Sequence, residues 1–182
     1  MTTPHELPTV YTARLTLRQF TPADVDALHL ILSTPDILRY FPTPGTPSLE
    51  RTTRIVARQI EQWQTVGYGW WALTPRTEER LIGWCGLQFL PETSETEVGY
   101  LLAQSCWGQG LATEATRATV AYAFEHFDFP ELIGITHPDN IASQRVLQKA
   151  GMVFTRADRY FNMDCFRYAV TAPRAILTRI AL

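Results

Sequence analysis

The sequence predicts an α/β fold of the α+β kind, with one mixed, mostly antiparallel sheet of about seven strands flanked by about four helices. Three observations carry this. Three strand-like runs separated by polar turns follow one another between Tyr68 and Leu102, the pattern of an antiparallel meander. Beyond Leu102 helical and strand patterns alternate, which places helices against a sheet. The 182 residues are 46% apolar and 19% charged and contain no repeat or Pro/Gly/Ser-rich linker, so residues 1–182 read as a single domain with one core.

The elements follow in order. Arg14 to Phe20 alternates, with Leu15, Leu17 and Gln19 on one side, and forms the first strand. Thr21-Pro22-Ala23-Asp24 is a helix start, with a hydroxyl cap, an early proline and a carboxylate near the positive end of the dipole. Ser33 to Pro47 holds four prolines and a glycine and is mostly irregular, a segment suited to border a substrate cleft. A second helix runs from near Ser48 to about Thr65, and Gly67 ends it. Strands are expected over Tyr68 to Thr74, Leu81 to Leu90 and Glu97 to Leu102. A helix from Leu111 to about His126, a strand over Leu132 to His137, a helix from about Asn140 to Ala150 and strands near Met152 to Arg159 and Asp164 to Thr171 complete the chain.

Composition excludes several classes. A net charge of -2 gives no broad electrostatic footprint for nucleic acid. Arg51, Arg54 and Arg58 recur at helical spacing and read as a solvated face. Cys85, Cys106 and Cys165 form no C-x-x-C pair, so reduced, buried thiols are expected rather than disulfides, and no metal. Met1 to Pro8 has neither a basic nor an apolar run, and no stretch reaches membrane-helix length; the expected location is cytoplasmic, away from membranes.

The most informative segment is Glu97 to Ala115, where a strand runs into a turn holding Gly108 and Gly110 that opens straight into a helix. Small residues let a ligand approach the backbone, and free N–H groups at a helix start favour an anion. Taken alone, Gly-x-Gly before a helix also fits a plain tight turn. There is no Gly-Lys-Ser/Thr ending for a P-loop and no third glycine for a Rossmann site. A second block, Asn140-Ile-Ala-Ser-Gln-Arg-Val-Leu-Gln-Lys-Ala-Gly151-Met152, follows. Asn140 is by itself a good helix cap.

Together with Trp107 to Ala115, that block resembles the paired signature of the GNAT superfamily of N-acetyltransferases, in the RimJ/RimL-like branch that acetylates ribosomal-protein N-termini. The likeness extends from the Arg14–Arg18 strand to the Phe166–Val170 strand. It implies a sheet splayed between strands four and five and acetyl-coenzyme A as cosubstrate. It also implies a pyrophosphate held by backbone amides of Gly108, Gln109, Gly110, Leu111, Ala112 and Thr113, and a pantetheine arm paired to Tyr100, Leu101 and Leu102. Asn140 and Ser143 would lie at the cofactor, with the Ser143 hydroxyl near the sulfur. The family pattern Arg/Gln-x-x-Gly-x-Gly/Ala falls on Trp107 to Ala112, and Trp107 stands where Arg or Gln is usual, as is common in this branch.

Acetyl transfer requires a neutral amine, a polarised carbonyl and a proton for the departing thiolate. In related enzymes with a glutamate base and a tyrosine acid, those groups sit five residues before and seven after the Asn. Here the positions are Ile135 and Leu147. Ser143 is therefore the candidate acid and Glu97 the candidate base, acting through water, with Tyr100, Asp164 and His137 in reserve. An α-amine of pKa about 7.7 to 8.0 is roughly a tenth neutral near pH 7, whereas lysine, at about 10.4, is neutral at only a few parts in ten thousand. Apolar side chains at 135 and 147 thus fit an α-amine acceptor, with a protein N-terminus foremost. A noncatalytic acyl-coenzyme A binding module and a small-molecule (antibiotic or polyamine) acetyltransferase are the alternatives. Trp70, Trp71, Trp84 and Phe161 are candidates to line the acceptor cleft. Monomer and homodimer are both open.

Overall fold

The computed structural model describes residues 8–173. Eight strands form one sheet in the order β1-β2-β3-β4-β5-β6-β8-β7: β1 Val10–Tyr11, β2 Leu15–Arg18, β3 Trp70–Pro75, β4 Gly83–Leu90, β5 Glu95–Leu102, β6 Glu131–Thr136, β7 Val153–Tyr160 and β8 Met163–Thr171. Every neighbouring pair is antiparallel except β5 and β6, which run parallel. The eighth strand, beyond the seven expected, is β1; two residues are too few to show an alternating pattern.

Among the described residues four α-helices cover the sheet: α1 Val25–Leu32, α2 Leu49–Thr65, α3 Leu111–His126 and α4 Ile141–Lys149. The Thr21 start holds, but its first turn is a separate 3-10 turn, Pro22–Asp24, in which Thr21 and Asp24 form a capping box. Asp24 is buried because Arg18 grips it with two bonds of 2.6 and 2.8 Å. Burial pushes the Asp24 carboxyl up, yet Arg18 and Thr21 together hold it below the usual carboxylate range. Ser48 caps α2 as expected, accepting from the Arg51 N–H at 3.2 Å.

The helices divide between the faces. Leu111, Ala115, Val120 and Phe124 of α3 and Leu147 of α4 pack with Leu15, Leu17, Leu73, Leu87, Val98, Leu102 and Leu132 of the sheet. Leu28, Ile31 and Leu32 of α1 and Val56 of α2 pack with Ala72, Trp84 and Leu101 on the opposite face. Alternation along β5 therefore sends Val98, Tyr100 and Leu102 toward α3 and α4, and Glu97, Gly99 and Leu101 toward α1 and α2. Cys85, Cys106 and Cys165 are free and buried; burial pushes the Cys85 thiol up to about 12. Among the described residues no helix is long and apolar enough to cross a membrane, and no group of three His, Cys, Asp or Glu could hold a metal ion.

Candidate active site

The parallel junction between β5 and β6 consists of one residue pair, Glu97 opposite Ile133. Beyond it β5 pairs on through Leu102 with β4, and β6 through Thr136 with β8. The two strands thus part company at Glu97 and leave a V-shaped gap, with the Tyr100–Leu102 edge facing it. The closed end of the V is pinned from below. Arg167 of β8 is 5% exposed and bonds Glu95 at 2.8 Å, Glu131, and Thr155 at 3.0 Å. Tyr160 donates to Glu95 at 2.9 Å. A buried guanidinium bonded through each of its three nitrogens and joining β5, β6, β7 and β8 keeps the sheet whole there.

At the open end β5 runs through a 3-10 turn into the glycine turn. Gly108 and Gly110 both occupy the left-handed region, at φ +74 and +77, which glycine adopts without a Cβ penalty. Gly110 caps α3 with no side chain to offer. The first helical bond is from the Glu114 N–H to the Gly110 carbonyl at 3.1 Å, so the N–H groups of Leu111, Ala112 and Thr113 precede the ladder. A Cβ at Gly108 would meet nothing within 4 Å. An uncapped, open, left-handed helix start fits a pyrophosphate. The Leu111 side chain lies in the core, so this residue offers only its backbone. Trp107 is half-exposed, and its indole N–H donates to the Leu102 carbonyl at 2.7 Å. Gln109 turns its side chain back to the Ser105 carbonyl at 2.9 Å.

On the α4 side of the gap Asn140 caps the helix, accepting from the Ser143 N–H at 3.1 Å. This holds Ser143 in the first turn, facing β5. The Tyr100 hydroxyl lies 2.7 Å from Ser143 Oγ and 3.1 Å from the Ser143 carbonyl. Burial pushes Tyr100 well above the ordinary tyrosine range, so it stays a neutral hydrogen-bonding partner at working pH. Sequence reasoning named both residues but not this bond, which crosses the gap and follows from strand register.

Glu97 begins no strand; β5 starts two residues earlier, at Glu95. It lies partly buried at the crotch of the V, on the face of α1 and α2. Burial pushes its carboxyl up to about 8, and only the Ile135 N–H draws it back. The two apolar replacements thereby acquire a physical account. Leu147 is 1% exposed, and a Cβ on Gly134 would stand 2.5 Å from its side chain, so it is a packing residue over β6. Ile135 lies against the small core of Leu90, Ile133, Tyr160 and Cys165, and a carboxylate reaches its neighbourhood from Glu97 on the adjacent strand.

Residues 35–41 span the open end on this same face. Gln104, just after β5, donates to the Pro35 carbonyl at 2.8 Å. Tyr40 stacks on His137, just after β6, at 5.3 Å and donates to the Asp139 carbonyl at 3.2 Å. Phe41 meets Trp84 edge-on at 6.3 Å. Trp84 in turn stacks on Trp70 at 3.8 Å and lies over Gly99, where a Cβ would be 3.4 Å from its ring. Trp84 is thus a core residue beside β5, and Trp70, on β3, lies behind it. Trp71 is wholly buried beside Trp63 and Tyr122, because its place in β3 points it to the other face. Phe161 sits in the β7–β8 turn at φ +53, and Asp164 is exposed beside Arg159.

The residues that sequence reasoning missed are Thr12 and Arg14. Arg14 pairs with Glu114 of α3 at 2.6 Å and donates to the Gln109 carbonyl at 2.8 Å, and Thr12 donates to Glu114 at 2.6 Å. The signal was Arg14 itself, a cation at the start of an otherwise alternating strand, but nothing local says what it reaches.

A splayed parallel junction beside a glycine-rich helix start is the arrangement that the resemblance to coenzyme A-dependent acetyltransferases implied. Residues 14–153 match the acetyltransferase (GNAT) domain, and the chain belongs to that family. Uncharacterized protein YkkB of Bacillus subtilis is 33% identical over 157 residues, 83% of this chain and 88% of YkkB. FsC-acetyl coenzyme A-N(2)-transacetylase of Aspergillus fumigatus is 32% identical over 85% of this chain and 68% of its own. An acetyltransferase of Agrobacterium tumefaciens superposes with a TM-score of 0.79 at 27% identity, covering 93% of this chain and 98% of that one. The Salmonella typhimurium enzyme that modifies the N-terminal serine of ribosomal protein L7/L12 shares the fold, with a TM-score of 0.74 at 22% identity over 89% and 97%. The chain is an acetyl-coenzyme A-dependent N-acetyltransferase of RimL-like fold.

Proposed function

We propose that this enzyme acetylates a primary amine of low pKa, foremost the α-amine of a peptide or protein N-terminus, by direct attack in a ternary complex. The observation that carries the proposal is the placement of Glu97 and Ser143 on opposite sides of one gap. The bound cosubstrate supplies an activated acetyl thioester. Amides from Gly108 to Thr113 hold its pyrophosphate, and the Tyr100–Leu102 edge holds its arm. Glu97, on the face of α1 and α2, receives the proton that the amine loses as the C–N bond forms. Ser143, on the face of α4, donates to the sulfur as the C–S bond breaks, with Tyr100 holding its hydroxyl in place. The strap of residues 35–41 borders the acceptor's approach.

A base near pKa 8 matches an α-amine of about 7.7 to 8.0 and works poorly for lysine at about 10.4. The RimL-like fold supports the same choice. The Aspergillus relative, named for transacetylation at N(2) of FsC, supports a second reading in which the acceptor is not a protein terminus. Mass spectrometry of N-terminally blocked and unblocked peptides separates the cases. Acetylation of unblocked peptides alone is expected; modification confined to internal lysines overturns the proposal, and acetylation of small amines alone selects the second reading.

Ser143→Ala is expected to lower turnover at saturating acetyl-coenzyme A by about 10²-fold, the low end for a general acid, with its affinity changed less than threefold. Loss of affinity without loss of turnover, by calorimetry and steady-state rates, would make Ser143 an anchor and not an acid.

A further inference from the structure

The motif position that related enzymes fill with Arg or Gln is Trp107, and its indole is spent on the Leu102 carbonyl. We propose that Arg14, delivered by the β1–β2 turn, is the cation of the cofactor cradle: it fixes the glycine turn and binds a phosphate of acetyl-coenzyme A. This rests on the reading that the pyrophosphate sits at residues 108–113.

The geometry has two parts. First, Arg14 binds the turn at both of its ends. Its Nη1 reaches the Gln109 carbonyl at 2.8 Å, just before the helix start, and its Nε and Nη2 hold Glu114 in the first turn of α3 at 2.7 and 2.6 Å. The backbone N–H of Arg14 and the Thr12 hydroxyl take the other Glu114 oxygen at 2.8 and 2.6 Å. The β1–β2 turn is itself secured by Arg76, which donates to the Thr12 carbonyl at 3.2 Å and to the Arg14 carbonyl at 2.9 Å. Second, these bonds leave the guanidinium unfinished. Only Nε and Nη1 make hydrogen bonds, whereas Nη2 meets Glu114 as an ion pair, so of the five N–H groups the second on Nη1 and those on Nη2 have no hydrogen-bond acceptor among the described residues. The side chain is 51% exposed, and Nη2 stands 3.6 Å from where a Cβ on Gly110 would be. The unspent donors thus border the uncapped helix start.

Charge supports the same assignment. Glu114 lies in the first helical turn, where an unpaired carboxylate would repel a pyrophosphate. Burial pushes the Glu114 carboxyl up, but Thr12 and Arg14 hold it low and charged, so the paired guanidinium is what makes the turn acceptable to a second anion. With a net charge of -2 the chain has no broad positive field to draw a phosphate in, and a local cation carries that task.

The test compares acetyl-coenzyme A with S-acetylpantetheine, which carries no phosphate, on Arg14→Met and Arg14→Lys. In Arg14→Met the Kd for acetyl-coenzyme A is expected to rise at least tenfold and to lose part of its salt dependence. The KM for S-acetylpantetheine should change less than twofold, and kcat at saturating acetyl-coenzyme A less than threefold. Arg14→Lys, which keeps charge but cannot bridge Gln109 and Glu114, should recover part of the loss. It also serves as the readout should the Met variant fail to fold, with at least a threefold weakening for acetyl-coenzyme A alone. Unchanged acetyl-coenzyme A affinity, or equal losses for both thioesters, overturns the proposal. Amide exchange of residues 108–113 in the unmutated protein keeps the premise separate. Protection by coenzyme A there, with unaffected Arg14 variants, refutes Arg14 alone; no protection refutes the cradle.

Discussion

Gly110→Val is expected to raise the Kd for acetyl-coenzyme A by at least about 100-fold in a protein that still folds. Gly110 stands at φ +77, a conformation that a Cβ makes about 1–2 kcal/mol costlier per residue and that a β-branched side chain tolerates worst. Space is not the obstacle, since the nearest atom to an added Cβ is Arg14 Nη2 at 3.6 Å, an ordinary contact. The backbone must therefore rotate, and with it the N–H groups that open α3. Losing two hydrogen bonds to a charged group, at about 1.5–3 kcal/mol each, and 1.4 kcal/mol per decade, gives a hundredfold as the lower bound. Calorimetry on a variant with unchanged circular dichroism decides the matter; an affinity within threefold of the parent would sink the cradle assignment.

Glu97→Gln is expected to lower kcat/KM by about 10² to 10⁴-fold, the range of a positioned general base. Its signature lies in the pH profile. Reaction at subsaturating acceptor requires both a deprotonated Glu97, near 8, and a neutral α-amine, near 7.7 to 8.0. The logarithm of the rate should therefore climb with a slope approaching two below about pH 7 in the parent and one in the variant. A slope of one in both removes Glu97 from the chemistry.

Stability gives a second readout of the same carboxyl. Its folded pKa is raised above the ordinary 4.5, so between about 4.5 and 8 the folded state holds a proton that the unfolded chain has lost. Stability from this group is present at low pH and falls as pH rises through that window. Glutamine does not titrate. The Tm of the parent minus that of the variant should thus decline from pH 5 to 8 and level off above; a flat difference means that Glu97 is not held protonated.

Much of the fold was legible because its signals are local. The helix from Leu111 to His126 matches its expected bounds, since the glycine turn that opens it is written in one short stretch just before it. The meander, the Ser48 start and the Asn140 cap were likewise legible from turn and cap chemistry. Where strand ends shifted, as at Glu95 or Gly83, the ladder with the next strand decided, and pairing is not visible along one strand.

Two coupled motifs, a glycine turn at the head of a helix and a capped helix with a hydroxyl in its first turn, already point along the chain to the class of protein. Tertiary structure decided which side chains meet. Trp107 and Ile135 look like losses along the chain, yet the fold brings Arg14, from the β1–β2 turn, onto the Gln109 carbonyl of the glycine turn, and the Glu97 carboxyl, from β5, onto the Ile135 N–H. Trp71 and Trp70, adjacent in sequence, go to opposite faces. The reason is the two-residue period of a strand: sheet register sets which side chains meet across strands, and a shift of one residue would exchange every face.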